Sequence, residues 1–428
     1  MPRVCLVTSR HLAYNPRLYK EACALDDAGV NVRVVAPNLD PEKSALDDEL
    51  METETWTLDR VSVQRRGAGQ ARWMKGALRQ RLLQTVPVLQ RLPYGVELAY
   101  SRHVDALYRT AVALSADLYV AHNLQALPAA TWAAEKTGAQ LGFDAEDFHR
   151  GEFPHDDLDS PERALTMAVE AEYLPRCDHL TAASPGIADA YAEALPIDRP
   201  NVILNVFPLS ERSGHTPPEE LAREAPDDAY SLYWYSQTIG PDRGLQDVVR
   251  ALPNVQVADQ PVILSLRGSW SGGFEATLRQ LARDHGVADH IRHLPPVPPD
   301  QLVERAAEHD VGLALEQPVS KNREICITNK LFAYLLAGLP VVATNTLGQK
   351  PICADLSECT RICPPEAPET LACAIRSFLQ SPKHLQHSSQ AAYTHGSERF
   401  NWDIEQKHLL CVFGQTLNTT LQPCSATA

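Results

Sequence analysis

The sequence predicts an α/β protein built from two doubly wound, parallel-sheet domains in tandem. Short apolar runs alternate with helical patterns along the chain, as expected of buried parallel strands joined by crossover helices. The 428 residues exceed what one hydrophobic core usually supports. A stretch rich in Pro, Glu and Asp at 210–228 separates the two sets of strands. We therefore place domains at 1–206 and 230–400, a linker at 207–229 and a terminal helix within 401–428 that packs back toward the first domain.

The first domain opens with a strand, a helix and a second strand, predicted at 4–8, 16–25 and 30–36. The loop from Ser9 to Arg17 contains no glycine. A dinucleotide-binding loop needs the Gly-x-Gly-x-x-Gly pattern there so that its backbone can approach a pyrophosphate. The sequence therefore predicts no nicotinamide or flavin cofactor at this end. Arg17 remains as a residue that could meet a phosphate or an acceptor, although loop cations are often only solvated.

Polar side chains follow two later strands of the first domain, predicted at 117–121 and 140–143. His122 ends the first of these strands, and Asp144 and Glu146 follow the second. Ligands of open α/β sheets collect at the carboxyl ends of strands, so these three residues are candidates for function. A carboxylate there could orient a ligand hydroxyl, act as a base or cap the next helix, and the histidine could be structural. Strands at 179–182 and 202–204 complete this sheet.

The second domain carries a turn typical of diphosphate binding. After a strand at 231–235, the sequence Gly240-Pro-Asp-Arg243-Gly leads into a helix at 245–252. Backbone amides and a guanidinium converge on one anion in such a turn. Arg267 stands at the carboxyl end of the next strand. Further strands are predicted at 262–266, 291–294, 311–315, 339–343 and 361–363, and later helices at 369–379 and 402–413.

The stretch from Glu316 to Gln349 predicts a second anion-binding element. It follows a buried strand and passes through a polar loop into a helix that Gly338 ends. Thr328 and Asn329 occupy the cap, so the helix N-terminus faces the loop, and Lys330 adds a positive charge. An ordinary strand-helix-strand unit without a ligand is the alternative.

The charge is unevenly distributed. The formal net charge of −15 argues against nucleic acid as a main partner. Residues 60–102 nevertheless carry a single acid, Glu97, beside nine basic residues. Apolar residues recur every fourth position there, which indicates either a basic amphipathic helix for an anionic membrane surface or a helix whose stripe packs inward. They are Met74, Leu78, Leu82 and Val86. The chain shows no signal-peptide pattern, which predicts a cytoplasmic protein.

Together these stretches resemble the retaining glycosyltransferases of family 4. The most specific marker is TNKLFAYLLAGLPVV at 328–342, supported by GPDRGL at 240–245 and by His122 and Asp144 at their strand ends. The resemblance implies the GT-B fold, two Rossmann-like domains facing each other across a cleft. It further implies transfer of a sugar from a nucleotide sugar, with retained anomeric configuration and without a bound metal.

Two glutamates separated by seven residues are usual in this family, and the sequence departs from that pattern. Ala333 and Ile325 occupy their places. Glu316 and Glu324 have the same separation in another register. The family's second glutamate binds the nucleotide ribose. Ala333 at that position therefore affects the contact between the protein and the ribose of the donor.

The resemblance implies a role for each candidate residue. The catalytic candidates are His122, Asp144, Glu316 and Glu324. The acceptor-side candidates are Arg17 and Glu146. We expect a hexose to pass from a UDP- or GDP-sugar to a glycan or lipid-linked acceptor in polysaccharide or glycoconjugate synthesis. The alternatives are a sugar-nucleotide epimerase or hydrolase of the same fold and a non-catalytic nucleotide-sugar or glycan-binding protein. The expected donor-binding residues are Gly240, Arg243, Arg267, Arg323, Thr328, Asn329 and Lys330.

Overall fold

The computed structural model describes residues 1–212, 229–255, 257 and 260–423. The chain divides into two compact units. The first comprises residues 1–204 with the described part of 406–428, and the second comprises the described part of 205–405. Most of the expected linker, 213–228, lies outside the described residues, and the predicted domain boundaries stay predictions.

A parallel sheet of seven described strands forms the centre of the first unit, in the order β3-β2-β1-β4-β5-β6-β7. Its register aligns the strand ends, because Thr8 lies beside His122, His122 beside Asp144 and Asp144 beside Thr181. The sheet therefore delivers these four side chains in one row. The strands are β1 Arg3–Thr8, β2 Asn31–Asn38, β3 Thr57–Ser62, β4 Leu118–His122, β5 Gln140–Ala145, β6 His179–Ala182 and β7 Asn201–Val202.

Helices cover this sheet, and β1 and β4 are buried along nearly their whole length, as parallel strands with two covered faces should be. The first helix starts where predicted because Pro16 fits the first helical position and the Asn15 side chain accepts a hydrogen bond from the Leu18 amide. The helices are α1 Pro16–Asp27, α2 Pro41–Met51, α3 Gln70–Thr85, α4 Gly95–Tyr100, α5 Val104–Val112, α6 Leu127–Thr137, α7 Pro161–Tyr173 and α8 Pro185–Ala194.

The second unit repeats the architecture with a parallel sheet of six described strands, in the order β10-β9-β8-β11-β12-β13. The order in which strands are added to the sheet reverses between β8 and β11. Open α/β sheets bind ligands at such a position. The strands are β8 Tyr230–Ile239, β9 Val262–Trp270, β10 Ile291–Leu294, β11 Val311–Ala314, β12 Val341–Thr344 and β13 Thr360–Cys363.

The helices of the second unit pack on both sides of its sheet, and β8, β9 and β11 contribute Trp234, Leu266 and Leu313 to its core. The last helix begins in the second unit, and its later residues Phe413 and Thr416 contact His179 of β6 within the first unit. The helices are α9 Leu245–Ala251, α10 Phe274–Asp284, α11 Leu302–Ala306, α12 Lys321–Ile325, α13 Asn329–Ala337, α14 Gln349–Asp355, α15 Pro368–Leu379, α16 Pro382–Glu398 and α17 Trp402–Thr416.

Within the basic segment, Gln70–Thr85 form α3, and the inward-packing interpretation of the apolar stripe is wrong. Met74, Leu78 and Leu82 are 58%, 73% and 51% exposed. The helix is instead fixed to its unit from another side, where Gln80 donates hydrogen bonds to the carbonyls of Ala99 and Tyr100. Among the described residues, no helix is both long enough and apolar enough to cross a membrane.

Candidate active site

Three cations meet one buried carboxylate in the second unit. Glu316, which follows β11, is 6% exposed. Its Oε1 accepts from Lys330 Nζ at 3.3 Å and its Oε2 from Arg323 Nη1 at 3.2 Å. Arg243 Nη1 lies 3.7 Å from the same Oε2. We call these four residues the Glu316 cluster. It brings together four of the residues that the sequence singled out.

The turn before α9 brings Arg243 to the cluster. Gly244 has a φ of +70°, and a Cβ there would lie 2.7 Å from Leu315 Cβ. Only glycine allows the turn to approach the end of β11 this closely. Arg323 Nη1 also donates to the Asp242 carbonyl at 3.2 Å. Close packing at Gly244 and this hydrogen bond thus hold both guanidinium groups near Glu316.

The N-terminus of α13 supplies the third cation. Thr328 is the N-cap, as predicted, but its side chain makes no capping hydrogen bond. Its Oγ1 instead accepts from Lys330 Nζ at 3.4 Å. The Lys330 ammonium also lies 5.5 Å from the centroid of the Trp234 ring. These contacts fix the buried ammonium at the end of the helix where the dipole is positive.

Charge in the Glu316 cluster is unbalanced. Three cations face one carboxylate, so two positive charges are unmatched within it. Burial lowers the pKa of Lys330, and the charges of Arg243 and Arg323 lower it further. Burial followed by the charge of Arg323 likewise lowers the pKa of Arg243. Burial would raise the pKa of Glu316, but Lys330, Arg323 and Arg243 outweigh it, so its pKa lies below the ordinary 4.5. The carboxylate is therefore ionised at neutral pH, and the cluster favours an additional anion.

The structure places Glu324, a catalytic candidate, and three donor-binding candidates outside the cluster. Glu324 accepts from Lys321 Nζ at 3.0 Å within α12. Arg267 is buried, donating from Nε to the Tyr233 hydroxyl at 2.8 Å and from Nη1 to the Pro295 carbonyl at 3.0 Å. Gly240 belongs to the turn, where an added Cβ would lie 2.9 Å from Ser271 Oγ. Asn329 is half-buried as the first residue of α13.

The two positions of the family's glutamates are apolar and buried. Ala333 has no exposed surface and Ile325 is 4% exposed. Glu316 is therefore the carboxylate among these candidates that contacts all three cluster cations.

A second ionic arrangement lies at the row of strand ends in the first unit. Arg17 binds Asp144 through two hydrogen bonds, Nε to Oδ2 at 2.6 Å and Nη2 to Oδ1 at 2.8 Å. Its Nη1 donates to the Ile203 carbonyl at 2.7 Å. Thr181 Oγ1 donates to Asp144 Oδ1 at 2.6 Å. Both oxygens of the Asp144 carboxylate therefore have buried partners.

His122 extends this arrangement to a residue that the sequence analysis missed. Its Nε2 lies 3.0 Å from Glu21 Oε1, and its Nδ1 lies 3.5 Å from Asp144 Oδ2. Glu21 stands four residues after Arg17, on the same face of α1, and that spacing was the signal available in the sequence. We call Arg17, Glu21, His122, Asp144 and Thr181 the His122 network.

The pKa values in the His122 network follow from burial and pairing. Burial lowers the pKa of His122, but Glu21 and Asp144 outweigh it, so the pKa is raised above 6.5. Burial alone would raise the pKa of Asp144, yet Arg17 brings it well below its usual range. Nearby Glu146 is half-buried, and burial followed by the charge of Asp147 raises its pKa. The network is a closed ionic unit, and the predicted roles of these residues stay predictions.

Within the described ranges, no three His, Cys, Asp or Glu side chains are grouped as metal ligands. Metal-free transfer remains a prediction.

Two family models match the sequence. The model described as "Glycosyl transferase 4-like domain" matches residues 13–205, and the one described as "Glycosyl transferases group 1" matches residues 218–395. They correspond in order to the two sheets. No curated protein matches the sequence.

Solved structures with the same architecture include several glycosyltransferases. A sucrose-phosphate synthase from Thermosynechococcus elongatus superposes with a TM-score of 0.70 at 14% identity, covering 98% of this chain and 100% of its own. HepE from Anabaena, solved in complex with UDP, gives 0.67 at 15%, covering 96% and 100%. A glycosyltransferase from Rickettsia africae gives 0.67 at 12%, covering 98% and 99%.

These findings confirm the predicted fold and family. The two parallel-sheet units match those of GT-B structures, and the two family models account in tandem for most of the sequence. The chain belongs to the GT-B glycosyltransferases, with a glycosyltransferase 4-like domain followed by a group 1 domain.

Proposed function

We propose that the protein transfers a hexose, with retention, from a nucleoside diphosphate sugar to a glycan or lipid-linked acceptor in polysaccharide or glycoconjugate synthesis. The observation that carries this proposal is the Glu316 cluster. Two unmatched positive charges lie there beside a helix N-terminus. The cluster follows β11, where the strand order of the parallel sheet reverses. Such a place suits a diphosphate.

The diphosphate of the donor would be bound by Arg243, Arg323 and Lys330. Arg243 and Arg323 have side chains 30% and 23% exposed, so both remain accessible to a ligand. HepE from Anabaena has been solved in complex with UDP and with UDP-glucose. They support a uridine nucleotide as the first donor to test, with GDP-sugars second.

The cluster would act on the leaving group. As the bond between the anomeric carbon and the phosphate oxygen breaks, negative charge develops on the diphosphate, and preorganised cations stabilise it. The acceptor hydroxyl attacks the same face of the sugar and gives its proton to the departing phosphate, so no protein nucleophile is required. We place the acceptor on the side of the first unit, near His122 and Asp144, with Arg17 and Glu146 beside them.

The test of this proposal is the variant Arg243→Ala. In the described part of the chain, Arg243 is held by one long ion pair, with Glu316 at 3.7 Å, so its removal should leave the fold intact. Loss of one preorganised donor is expected to lower kcat/KM by the equivalent of about 2–4 kcal/mol. A panel of UDP- and GDP-sugars with lipid-linked acceptors, read by mass spectrometry, supplies the assay.

The matched control is Arg279→Ala, which removes an arginine of the same unit that pairs with Glu275 at the surface. This variant should transfer sugar at the unmodified rate. If Arg243→Ala and Arg279→Ala transferred sugar at equal rates, Arg243 would not bind the diphosphate of the donor.

A non-catalytic binding protein is the second candidate, and Ala333 in place of the family's glutamate favours it. A protein that only binds would be stabilised thermally by UDP-sugars without forming product. An epimerase or hydrolase would consume the donor without an acceptor. Donor consumption and product formation, measured with and without acceptor, separate the three activities.

We extend the proposal to a cytoplasmic protein that binds an anionic membrane surface through α3. The exposed stripe of Met74, Leu78 and Leu82 lies in a strongly basic segment, the combination that membrane-surface helices use.

The double variant Leu78→Ser/Leu82→Ser should sediment less with vesicles containing phosphatidylserine. Leu46→Ser/Leu158→Ser, which changes two leucines exposed elsewhere in the unit, should sediment normally. Vesicle binding that is unchanged by added salt and by Leu78→Ser/Leu82→Ser would contradict this extension of the proposal.

A further inference from the structure

A second cationic hollow lies wholly within the first unit. It has a volume of about 190 Å³ and is bounded by the end of β3, by α3, and by α5 with the two residues before it. Five of its lining residues are basic: Arg60, Arg72, Lys75, Arg102 and Arg109. Asp105 is the acidic residue in this lining. The Glu316 cluster belongs to the other unit, so this hollow is a separate feature.

Close packing fixes the walls of the hollow. A Cβ at Gly76 would lie 2.6 Å from the Arg102 carbonyl oxygen, so glycine lets α3 approach the segment before α5. Arg79 donates to both oxygens of Asp105 at 3.2 Å, which joins α3 to α5. The same pair neutralises the acid of the lining. The basic side chains are thus presented by a rigid frame.

Most of the positive charge in the hollow is not neutralised by protein groups. Among the described residues, Arg72 and Lys75 have no carboxylate partner, and Arg109 makes no hydrogen-bonded ion pair, although its charge helps Arg79 to lower the pKa of Asp105. Arg60 pairs with Asp48 at 2.5 Å. Arg102 donates to Gln80 Oε1 at 3.1 Å and stacks on the Trp73 ring.

Burial, followed by the charge of Arg102, lowers the pKa of His103 to about 4. His103 is therefore neutral at pH 7 and reports on the local positive charge.

We propose that this hollow binds a phosphate or diphosphate group. Arginine guanidinium groups match phosphate oxygens in bidentate geometry, and a lysine ammonium adds a point charge. The volume is several times the roughly 30 Å³ that a water molecule occupies in the liquid. A compact tetrahedral anion therefore fits, and Arg72, Lys75 and Arg109 line the space around it.

Two sources of such a group are consistent with the position of the hollow. At 100° per residue, Lys75 lies about 60°, Arg72 about 120° and Gly76 about 160° around α3 from the middle of the exposed stripe. A lipid headgroup phosphate beside that stripe could reach the hollow. A soluble phosphorylated ligand could also enter it. Binding of either source is independent of sugar transfer by the second unit.

The primary test observes His103 in the full-length protein by NMR while inorganic pyrophosphate is added, with His103→Gln to assign the signal. A bound anion would offset the positive charges of Arg102 and Arg79 that face this ring beside Asp105. We expect a saturable shift of the resonance and a rise in the pKa of His103. Because the signal is local, pyrophosphate bound at the Glu316 cluster would not produce it.

The variant Lys75→Ala/Arg109→Ala should weaken this binding about tenfold or more. Lys75 has no carboxylate partner among the described residues, and Asp105, which lies near Arg109, stays bound to Arg79, so the fold should be retained. Arg81→Ala/Arg91→Ala removes the same charge from exposed positions outside the hollow and should bind normally. Equal weakening in both variants, or a wild-type shift that does not saturate, would overturn the proposal unless the lipid measurement shows specific binding.

The lipid measurement uses vesicles matched in surface charge, containing either phosphatidic acid or phosphatidylserine. A preference for phosphatidic acid that only Lys75→Ala/Arg109→Ala abolishes would identify a headgroup phosphomonoester as the ligand. Pyrophosphate binding without that preference would identify a soluble source. Failure of both measurements would exclude the site, whatever the outcome for Arg243→Ala in sugar transfer.

Discussion

The Glu316 cluster and the His122 network combine arginine, carboxylate and a third ionisable group in opposite ways. The cluster has three cations around one carboxylate, and two of its cations are partly exposed. In the network, Arg17 and His122 face two carboxylates, Asp144 and Glu21, and all four side chains are at most 3% exposed. The first arrangement is open and unbalanced, whereas the second is closed and, with His122 protonated, balanced. This difference separates a site that needs a ligand from one that is already satisfied.

The physical reason is the cost of removing charge from water. A buried ion pair is tolerated only when its geometry is good and its remaining hydrogen bonds are made, and the Arg17–Asp144 pair fulfils both conditions. The Glu316 cluster lacks a second anion, and a diphosphate would supply it. The comparison thus predicts that the network governs stability and the cluster governs ligand binding.

The largest expected effect is on stability, in Asp144→Asn. The asparagine keeps the shape but removes the charge of the carboxylate that binds the buried Arg17 guanidinium. Removing one partner of a buried pair costs about 3–5 kcal/mol. Chemical denaturation measures the loss, and hydrogen exchange at the amides of β1, β4 and β5 should assign it to the first unit.

Asp156→Ala is the control for this variant, because Asp156 is exposed in the same unit. Its free energy of unfolding should change by no more than about 0.5 kcal/mol. If Asp144→Asn were as stable as the control, the network would not be the structural unit described, and a direct catalytic role for Asp144 would gain weight.

A smaller effect on stability, with a distinct effect on binding, is expected for Glu316→Gln. Hydrogen bonds to charged groups contribute about 1.5–3 kcal/mol, and the glutamine retains the contact with Lys330 without its charge. The variant should therefore be less stable without ligand. UDP would then supply negative charge to three uncompensated cations, so it should raise the melting temperature more than in the wild type.

Thermal unfolding with and without UDP tests this contrast. Asp144→Asn supplies the comparison, since UDP should affect it as it does the wild type. A smaller UDP effect in Glu316→Gln than in the wild type would indicate that Glu316 itself binds the donor, as the family's glutamates do.

The fold was predictable because apolar runs alone define buried parallel strands, and β6 and β10 begin and end where the sequence placed them. The edge strand β3 was missed, since its partly exposed sequence Thr57–Ser62 has no such run. The segment Asn201–Val202 is likewise an edge strand, and the predicted strand at 202–204 was placed slightly late. Edge strands are less buried, so their sequences are less constrained.

The site was predictable in part. Motif position indicated Arg243 and Lys330, and the structure brings both to Glu316. The sequence could not choose between Glu316 and Glu324, because spacing does not reveal where a loop turns. Ser320 accepts a hydrogen bond from the Arg323 amide and starts α12, which directs Arg323 to Glu316 while Glu324 pairs with Lys321. Glu21 was missed because its partner His122 is 101 residues away.

The smallest effect is a change in the pH dependence of stability, in Glu21→Gln. In the wild type Glu21 raises the pKa of His122 above 6.5 despite burial. A raised pKa contributes stability that is fully present below pH 6.5 and is lost as the pH rises through the value in the folded protein. The variant removes the main group that raises this pKa, so the difference in free energy of unfolding should be largest near pH 6, at about 1–2 kcal/mol. Urea unfolding from pH 6 to pH 9 should show that difference shrinking, because a neutral His122 no longer gains from the Glu21 charge. A difference that stays constant across this range would mean that His122 is neutral throughout, and the network would then lack the charge balance that distinguishes it from the Glu316 cluster.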